Sequence, residues 1–271
     1  MKIDQLLIGC PVCQAPEVLA LFLQSLQRLE FKNTKVYYHF IDDNHDRCSS
    51  ELLDQFCTAV ERVTIERPQK NSTDKKYQEH NWDENIIWKV AEYKNQMIGR
   101  ALQENFTHLF FIDSDVLLHP KAAAHLMDTG KEIVSQVFWT RWQDDAVEQP
   151  QVWMQDFYTQ YDQKPGEHLT GAEERKRTFA FFDMLRKPGL YEVGGLGACT
   201  MIRRSALEKG VCFQRVRNLT LWGEDRHFSV RAAVLGIPLY ADTAYPAFHV
   251  FRPHQLADGR AFLQQTKNIL P

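Results

Sequence analysis

The chain has 271 residues, of which 44% are hydrophobic and 25% charged, and its formal net charge is -3. That suits one large α/β domain or two small ones, and it lacks the strongly basic balance of a nucleic-acid binder. No apolar run is long enough to span a bilayer, and residues 1–9 lack the apolar stretch of a signal peptide. The expected location is therefore cytoplasmic, or peripheral at a membrane through a partner.

In chain order, residues 6–10 read as a first strand, followed by Cys10-Pro11-Val12-Cys13. A Cys-x-x-Cys between strand and helix suits a redox pair or half a zinc site. No second pair completes a zinc site, so small buried thiols in a loop are the favoured reading. Residues 16–28 carry Val18, Leu19, Phe22 and Leu26 at helical spacing. Residues 35–41 form a second strand ending at Asp42-Asp43-Asn44, which is equally turn chemistry. A Ser-capped helix is expected over 49–61, a strand over 63–66 and a polar loop over 69–79. Residues 85–103 read as a long helix with Ile86, Ile87, Val90, Met97, Ile98 and Leu102 on its apolar side. Lys94, Asn95 and Arg100 lie on this helix, either on a solvated face or reaching a ligand.

The next strand ends in Phe110-Phe111-Ile112-Asp113-Ser114-Asp115-Val116. In extended backbone, side chains alternate between faces, so Asp113 and Asp115 would point the same way. Two acids at the end of a buried strand are costly unless a cation sits between them. A divalent metal answers that need, and a turn after a core strand answers it too. The βαβαβαβ start predicts a mostly parallel sheet with helices on both faces. Ligands of such sheets sit at the carboxyl ends of strands, where Asp42, Asp43, Asp113 and Asp115 all fall.

The second half is less regular. Residues 132–139 read as a strand. Residues 142–186 are aromatic and charged with no clear period, which fits an acceptor-facing segment or a long loop. Gly194-Gly195-Leu196-Gly197-Ala198 opens a strand over 199–202, for close approach of a ligand or for a tight turn. A short helix over 205–209 follows. Trp222-Gly223-Glu224-Asp225 precedes a helix over 226–235, a strand over 238–241 and then Ala247-Phe248-His249-Val250.

In this order and spacing, these motifs resemble a GT-A-fold glycosyltransferase of the inverting family 2 type. The resemblance rests on Cys10-Pro11-Val12, Ile41-Asp42-Asp43, the Asp113-Ser114-Asp115 element, the glycine-rich strand, Trp222-Gly223-Glu224-Asp225, Gly236-Ile237-Pro238 and His249. Cys13 departs from the family's usual Tyr or Asn, and residues 139–186 have no family counterpart. The resemblance implies one catalytic domain over 1–271, with a nucleotide-binding half at 1–115, an acceptor-binding half at 116–271 and a smaller acceptor-side sheet.

By the same resemblance, Asp115 would be the main ligand of Mn²⁺ or Mg²⁺, Asp113 would touch ribose or a metal-bound water, and His249 would be a third ligand. An imidazole in the shell favours Mn²⁺, although a lone histidine in an apolar strand is also ordinary core. Pro11, Val12, Asp42, Asp43, Lys94 and Asn95 would hold the nucleotide of a UDP- or GDP-sugar, and Arg252 the diphosphate. Gly195, Trp222 and Glu224 would meet donor sugar or acceptor, the latter a saccharide, a lipid-linked molecule or a protein. Asp225, with Glu224 as rival, would be the general base that inversion requires; acids at a helix start are also favoured by capping and the dipole. The alternatives are a retaining GT-A enzyme, a nucleotidyltransferase and a nucleotide-sugar-binding protein. Residues 9–16 contain no Lys or Arg, against the nucleotidyltransferase loop.

Overall fold

The computed structural model describes residues 3–69, 83–143, 145–220 and 223–267. The first half runs β1 (Asp4–Val12), α1 (Pro16–Gln27), β2 (Thr34–Asp42), α2 (Arg47–Ala59), β3 (Val63–Glu66), α3 (Glu84–Gln103) and β4 (His108–Phe111). There follow β5 (Val116–Leu117), α4 (Ala122–Asp128), β6 (Ile133–Gln136), β7 (Trp139–Thr140), β8 (Gln149–Pro150), β9 (Val152–Trp153) and α5 (Gly171–Leu185). The chain continues through β10 (Leu190–Val193), β11 (Gly195–Leu196), β12 (Thr200–Arg203), α6 (Arg204–Glu208) and α7 (Glu224–Val234). It closes with β13 (Leu239–Asp242), β14 (Phe248–His249), a 3₁₀ turn (Pro253–Gln255) and α8 (Leu256–Lys267). Among the described residues, no helix is long and apolar enough to cross a membrane.

An eight-stranded sheet in the order β10-β13-β6-β12-β4-β1-β2-β3 forms the centre. Its pairs β1–β2, β1–β4, β2–β3 and β6–β13 are parallel, and β12 runs antiparallel between β4 and β6. Helices flank the sheet, and three two-stranded ribbons, β9–β11, β5–β14 and β7–β8, gather beside it. This is the α/β, GT-A-type arrangement that the motifs imply, with the smaller sheet region supplied by the ribbons.

β1 shows why the run is continuously apolar. Leu6, Ile8 and Cys10 belong to one core cluster with α1, while Leu7 belongs to a second cluster with Met97 and Phe111. A strand buried on both faces needs no polar alternation. Gly9 lets α3 lie close: a Cβ there would stand 2.6 Å from the Met97 sulfur.

Two expectations change. The Asp113-Ser114-Asp115 element is not extended strand: β4 ends at Phe111, and Val116 N–H donates to Asp113 C=O at 3.1 Å across a turn. The turn reading therefore holds, and it leaves the functional reading open to the geometry below. Residues 142–186 are not one loop either. They contain β8, β9 and α5, whose start carries a capping box: Thr170 Oγ1 accepts from Glu173 N–H while the Glu173 carboxylate accepts from Thr170 N–H. A threonine three residues before a glutamate is the sequence signature of that device.

The glycine-rich stretch serves packing. Gly195 pairs with Trp153 across β9–β11, and a Cβ there would stand 1.9 Å from the indole. A Cβ on Gly194 would stand as close to the Met154 carbonyl oxygen, at 2.0 Å. Overpacking of this kind costs about 1–3 kcal/mol, so Gly195→Ala is expected to lower stability by that amount in chemical denaturation and to shift Trp153 emission. An unchanged midpoint and spectrum would show that Trp153 is not held by this contact.

Candidate active site

A cavity of about 720 Å³ opens between the sheet and the 149–161 segment. Asp113, Asp115, Glu224, Asp225 and His249 line it together, although they come from widely separated parts of the chain. The backbone accounts for the meeting. β14 pairs antiparallel with β5, His249 opposite Val116, and Val250 N–H donates to Asp115 C=O at 2.9 Å. That register sets His249 beside the Asp-x-Asp turn.

His249 is aimed as well as placed. Its Nδ1 lies 2.8 Å from Thr140 Oγ1, and its Nε2 lies 3.5 Å from Asp115 Oδ2. A hydrogen bond on one imidazole nitrogen that orients the other is the usual support of a ligating histidine. Among the described residues, no three His, Cys, Asp or Glu side chains converge as a metal cluster. Of the three expected ligands, Asp115 and His249 lie 3.5 Å apart, with Asp113 on the same cavity wall. One carboxylate and one imidazole fit a divalent cation that takes its remaining ligands from phosphate oxygens and water.

The second cluster forms around Lys94. Its Nζ donates to Glu224 Oε1 at 2.7 Å and lies 3.4 Å from Asp225 Oδ1 and 4.9 Å from the Phe213 ring centre. Lys94 is buried because it occupies the inward stripe of α3, in line with Ile87, Ala91, Ile98 and Ala101. Burial works against its ammonium, but Asp225, Glu224 and Asp113 outweigh that and hold it well above the ordinary lysine value. Burial drives Asp225 up to about 7, Lys94 opposing and Glu224 and Asp113 adding. Burial likewise lifts Asp113 to about 6, with Lys94 opposing and Asp115 adding. Gly223, the N-cap of α7, contributes no side-chain cap, and the acids' hydrogen bonds run to Lys94. Capping alone therefore does not explain the acidic pair.

The expected nucleotide residues meet at a different edge. Val12 pairs with Asp42 across β1–β2, and Asp43 N–H donates to Val12 C=O at 2.8 Å, so Pro11, Val12, Asp42 and Asp43 adjoin. The buried Asp42 carboxylate already accepts from Arg67, Asn44 and Ser50, and Asp43 pairs with Lys89 at 2.7 Å. Lys94 does not join this group: it faces the Glu224–Asp225 pair. Asn95 supports the α3–Phe213 contact, its Oδ1 accepting from Phe213 N–H at 2.8 Å. Gly195 lies behind Trp153 rather than on the cavity wall. Arg252 donates to Trp142 C=O at 3.0 Å beside the cavity. Trp222 lies outside the described residues. Cys10 is a buried free thiol. Burial raises Cys10, with Asp113 and Asp115 adding to the shift, the opposite of a redox-active cysteine.

Sequence reasoning missed the aromatic wall, because its members carry no period. Trp153 and Tyr158 pack with tilted rings, 4.4 Å between ring centres, and Trp142 meets Phe251 edge-on at 5.1 Å. Phe157 and Tyr158 both have left-handed backbone, φ 63° and 57°. Consecutive non-glycine residues there are strained and concentrate at functional sites.

The sequence matches no protein-family model and no curated protein. Among solved structures it is similar to residues 1–349 of S. aureus TarS, alone and in complex with UDP. Each match has a TM-score of 0.53 and 13% identity, over 97% of this chain and 65% of that one. A longer TarS structure matches with the same TM-score and identity over 96% of this chain and 39% of that one. The chain thus spans less than two thirds of these relatives, and at this identity the likeness establishes the fold alone.

The acid cluster has a consequence for stability. A carboxyl whose folded value is raised stabilises the fold below its unfolded value and loses that contribution as pH climbs through the folded one. For Asp225 the window runs from 3.8 to about 7. Stability from this group should therefore fall between weakly acidic and neutral pH, and Asp225→Asn should flatten the slope in thermal denaturation. A variant whose melting temperature tracks the native protein across that window would contradict the assignment.

Proposed function

We propose that this chain is a metal-dependent glycosyltransferase that moves a sugar from a nucleoside-diphosphate sugar to an acceptor hydroxyl with inversion. The observation that carries this reading is two separate ionic clusters on one cavity: Asp115 with His249, and Glu224 and Asp225 with Lys94. A chain of the same fold has been crystallised with UDP, which favours a uridine donor.

Asp115 and His249 would hold Mn²⁺ or Mg²⁺ with the donor diphosphate, and Asp113 would contact ribose or a metal-bound water. The bound ion supplies Lewis-acid stabilisation of the departing diphosphate. Asp225 takes the proton of the acceptor hydroxyl as its oxygen forms the new bond to the anomeric carbon. The bond from that carbon to the diphosphate oxygen breaks, and the nucleoside diphosphate leaves with the electron pair. A base with a value near 7 is matched to this task at neutral pH. Lys94 holds Asp225 in position and limits the upward push of burial. Pro11, Val12, Asp42 and Asp43 would receive the nucleotide, Arg252 the diphosphate, and Trp222 with Glu224 the sugars.

Asp115→Ala is expected to abolish transfer and metal-dependent nucleotide binding, read by calorimetry with UDP and Mn²⁺. Asp225→Asn should keep donor binding but lower kcat by about 10²–10⁴-fold, the usual weight of a general base. Transfer at the native rate by that variant would remove Asp225 from the role, and anomeric NMR of the product tests inversion directly.

The acidic limb of kcat/KM should have an apparent pKa near 7. Lys94→Met should carry that limb to higher pH, since the opposing positive charge is gone, while Lys94→Arg leaves it nearer the native position. A limb that stays put in Lys94→Met would mean that Lys94 is purely structural.

A further inference from the structure

We infer that the acceptor end of the cavity takes an uncharged saccharide, and that acceptors bearing phosphate or carboxylate are rejected. The inference rests on the transferase reading for the word acceptor, but its physical basis is the wall itself.

The wall is unbalanced in charge. Four carboxylates line the cavity, and among the described residues no Lys or Arg does. The cations nearby are committed. Lys94 is spent on Glu224 and Asp225. Arg226 forms a two-pronged bond to Asp156, at 2.6 and 2.7 Å. Arg177 pairs with Glu167, and Arg141 with Glu148. Arg252, beside the cavity, donates to Trp142 C=O with its guanidinium 4.5 Å from the Phe251 ring centre, and the proposed mechanism assigns it to the diphosphate. An anionic acceptor would have to bring its charge into a partly desolvated space already holding carboxylates, where the nearby described Lys and Arg side chains named above have partners and the proposed ion and Arg252 serve the donor diphosphate.

The rest of the wall has the chemistry of sugar binding. Trp142, 44% exposed, and the half-buried Tyr158 present aromatic surface on the wall, which suits the C–H faces of a pyranose. Gln149, Gln151, Gln160, Thr159 and Thr178 supply neutral donors and acceptors, and amides and hydroxyls of this kind read ring hydroxyls. Sites that hydrogen-bond a substrate's hydroxyls also discriminate strongly against analogues that lack them. The whole cavity, its donor end included, is about 720 Å³, the size of a small-molecule pocket, which favours a sugar over a folded protein surface at its acceptor end.

The experiment is a titration of the full chain, with UDP and MnCl₂ present, followed by tryptophan fluorescence, since Trp142 and Trp153 lie on the wall. The probes are the methyl glycosides of glucose, galactose and N-acetylglucosamine, against glucose 6-phosphate and methyl glucuronide. At least one neutral glycoside should give a saturable change, and its charged counterpart should bind about tenfold more weakly or worse. Equal or tighter binding of the charged probe overturns the inference, as does the absence of saturable binding by every neutral glycoside up to its solubility limit. Gln160→Lys puts a cation on the wall and should narrow the gap by improving glucose 6-phosphate binding; a gap that stays as wide counts against the electrostatic cause. Transfer is assayed separately with UDP- and GDP-sugars. A neutral glycoside that binds but receives no sugar leaves the inference standing and removes the transferase reading. Transfer to a phosphorylated acceptor does the reverse.

Discussion

The buried Lys94 ammonium is the interaction on which the site depends. Four carboxylates share one cavity, and such a group repels itself unless cations divide it. Lys94 takes Glu224 and Asp225, and Asp115 lies apart from them, 3.5 Å from the His249 imidazole. Two acids at the same helix start thus acquire different situations. Glu224 is 8% exposed and bonded to the ammonium at 2.7 Å, whereas Asp225 is 25% exposed with a longer contact. The less committed acid is the one with a free path to a substrate proton. The same ammonium ties α3 to α7, so the two halves of the chain are joined through the proposed chemistry.

The second constraint is steric. β11 lies against β9 only because Gly194 and Gly195 have no side chains. The indole of Trp153 fills the space left by Gly195, and the Tyr158 ring packs tilted against it. Gly223 repeats the device at the start of α7: with φ 130°, it accepts the nearby Tyr158 hydroxyl, 2.8 Å from where a Cβ would stand. Three glycines thus set the positions of two aromatic rings and of the acidic pair. Their role is to let protein approach protein, and the site gains its shape as a result.

Much of the first half was legible because its signals are local. A doubly buried strand reads as an apolar run, and α3 shows its period, so β1 through β4 fall close to the expected bounds. The acids were legible as types at strand ends and at a helix start. Their partners were not, because pairing is set by long-range register: Val116 opposite His249, or α3 against α7. Lys94 did carry a signal that went unread, since a lysine in line with Ile87, Ala91, Ile98 and Ala101 has to be buried and so has to be paired. α5 carried one too, in Thr170 and Glu173. The aromatic wall had none, because Trp142, Trp153, Tyr158 and Phe251 converge from different segments.

The two ends of the proposed site differ in how firmly they are set. At the nucleotide end, Asp42 pairs with an Arg67 that is 48% exposed, and Asp43 with a Lys89 that is 34% exposed. The cation of each pair reaches solvent and can move aside, but the Asp42 carboxylate, 2% exposed, then needs a hydrogen-bond donor from the arriving nucleotide. At the base end, Lys94 and Glu224 are 4% and 8% exposed, and removing one member of a buried pair costs about 3–5 kcal/mol. The proposed base Asp225 is therefore flanked by a buried pair that is fixed before substrate arrives, as electrostatic preorganisation requires, while the proposed donor end has cations that can rearrange. Donor recognition should then tolerate substitution of Arg67 or Lys89 far better than proton transfer tolerates loss of Lys94, because only the second removes a charge that nothing else in the cavity can replace.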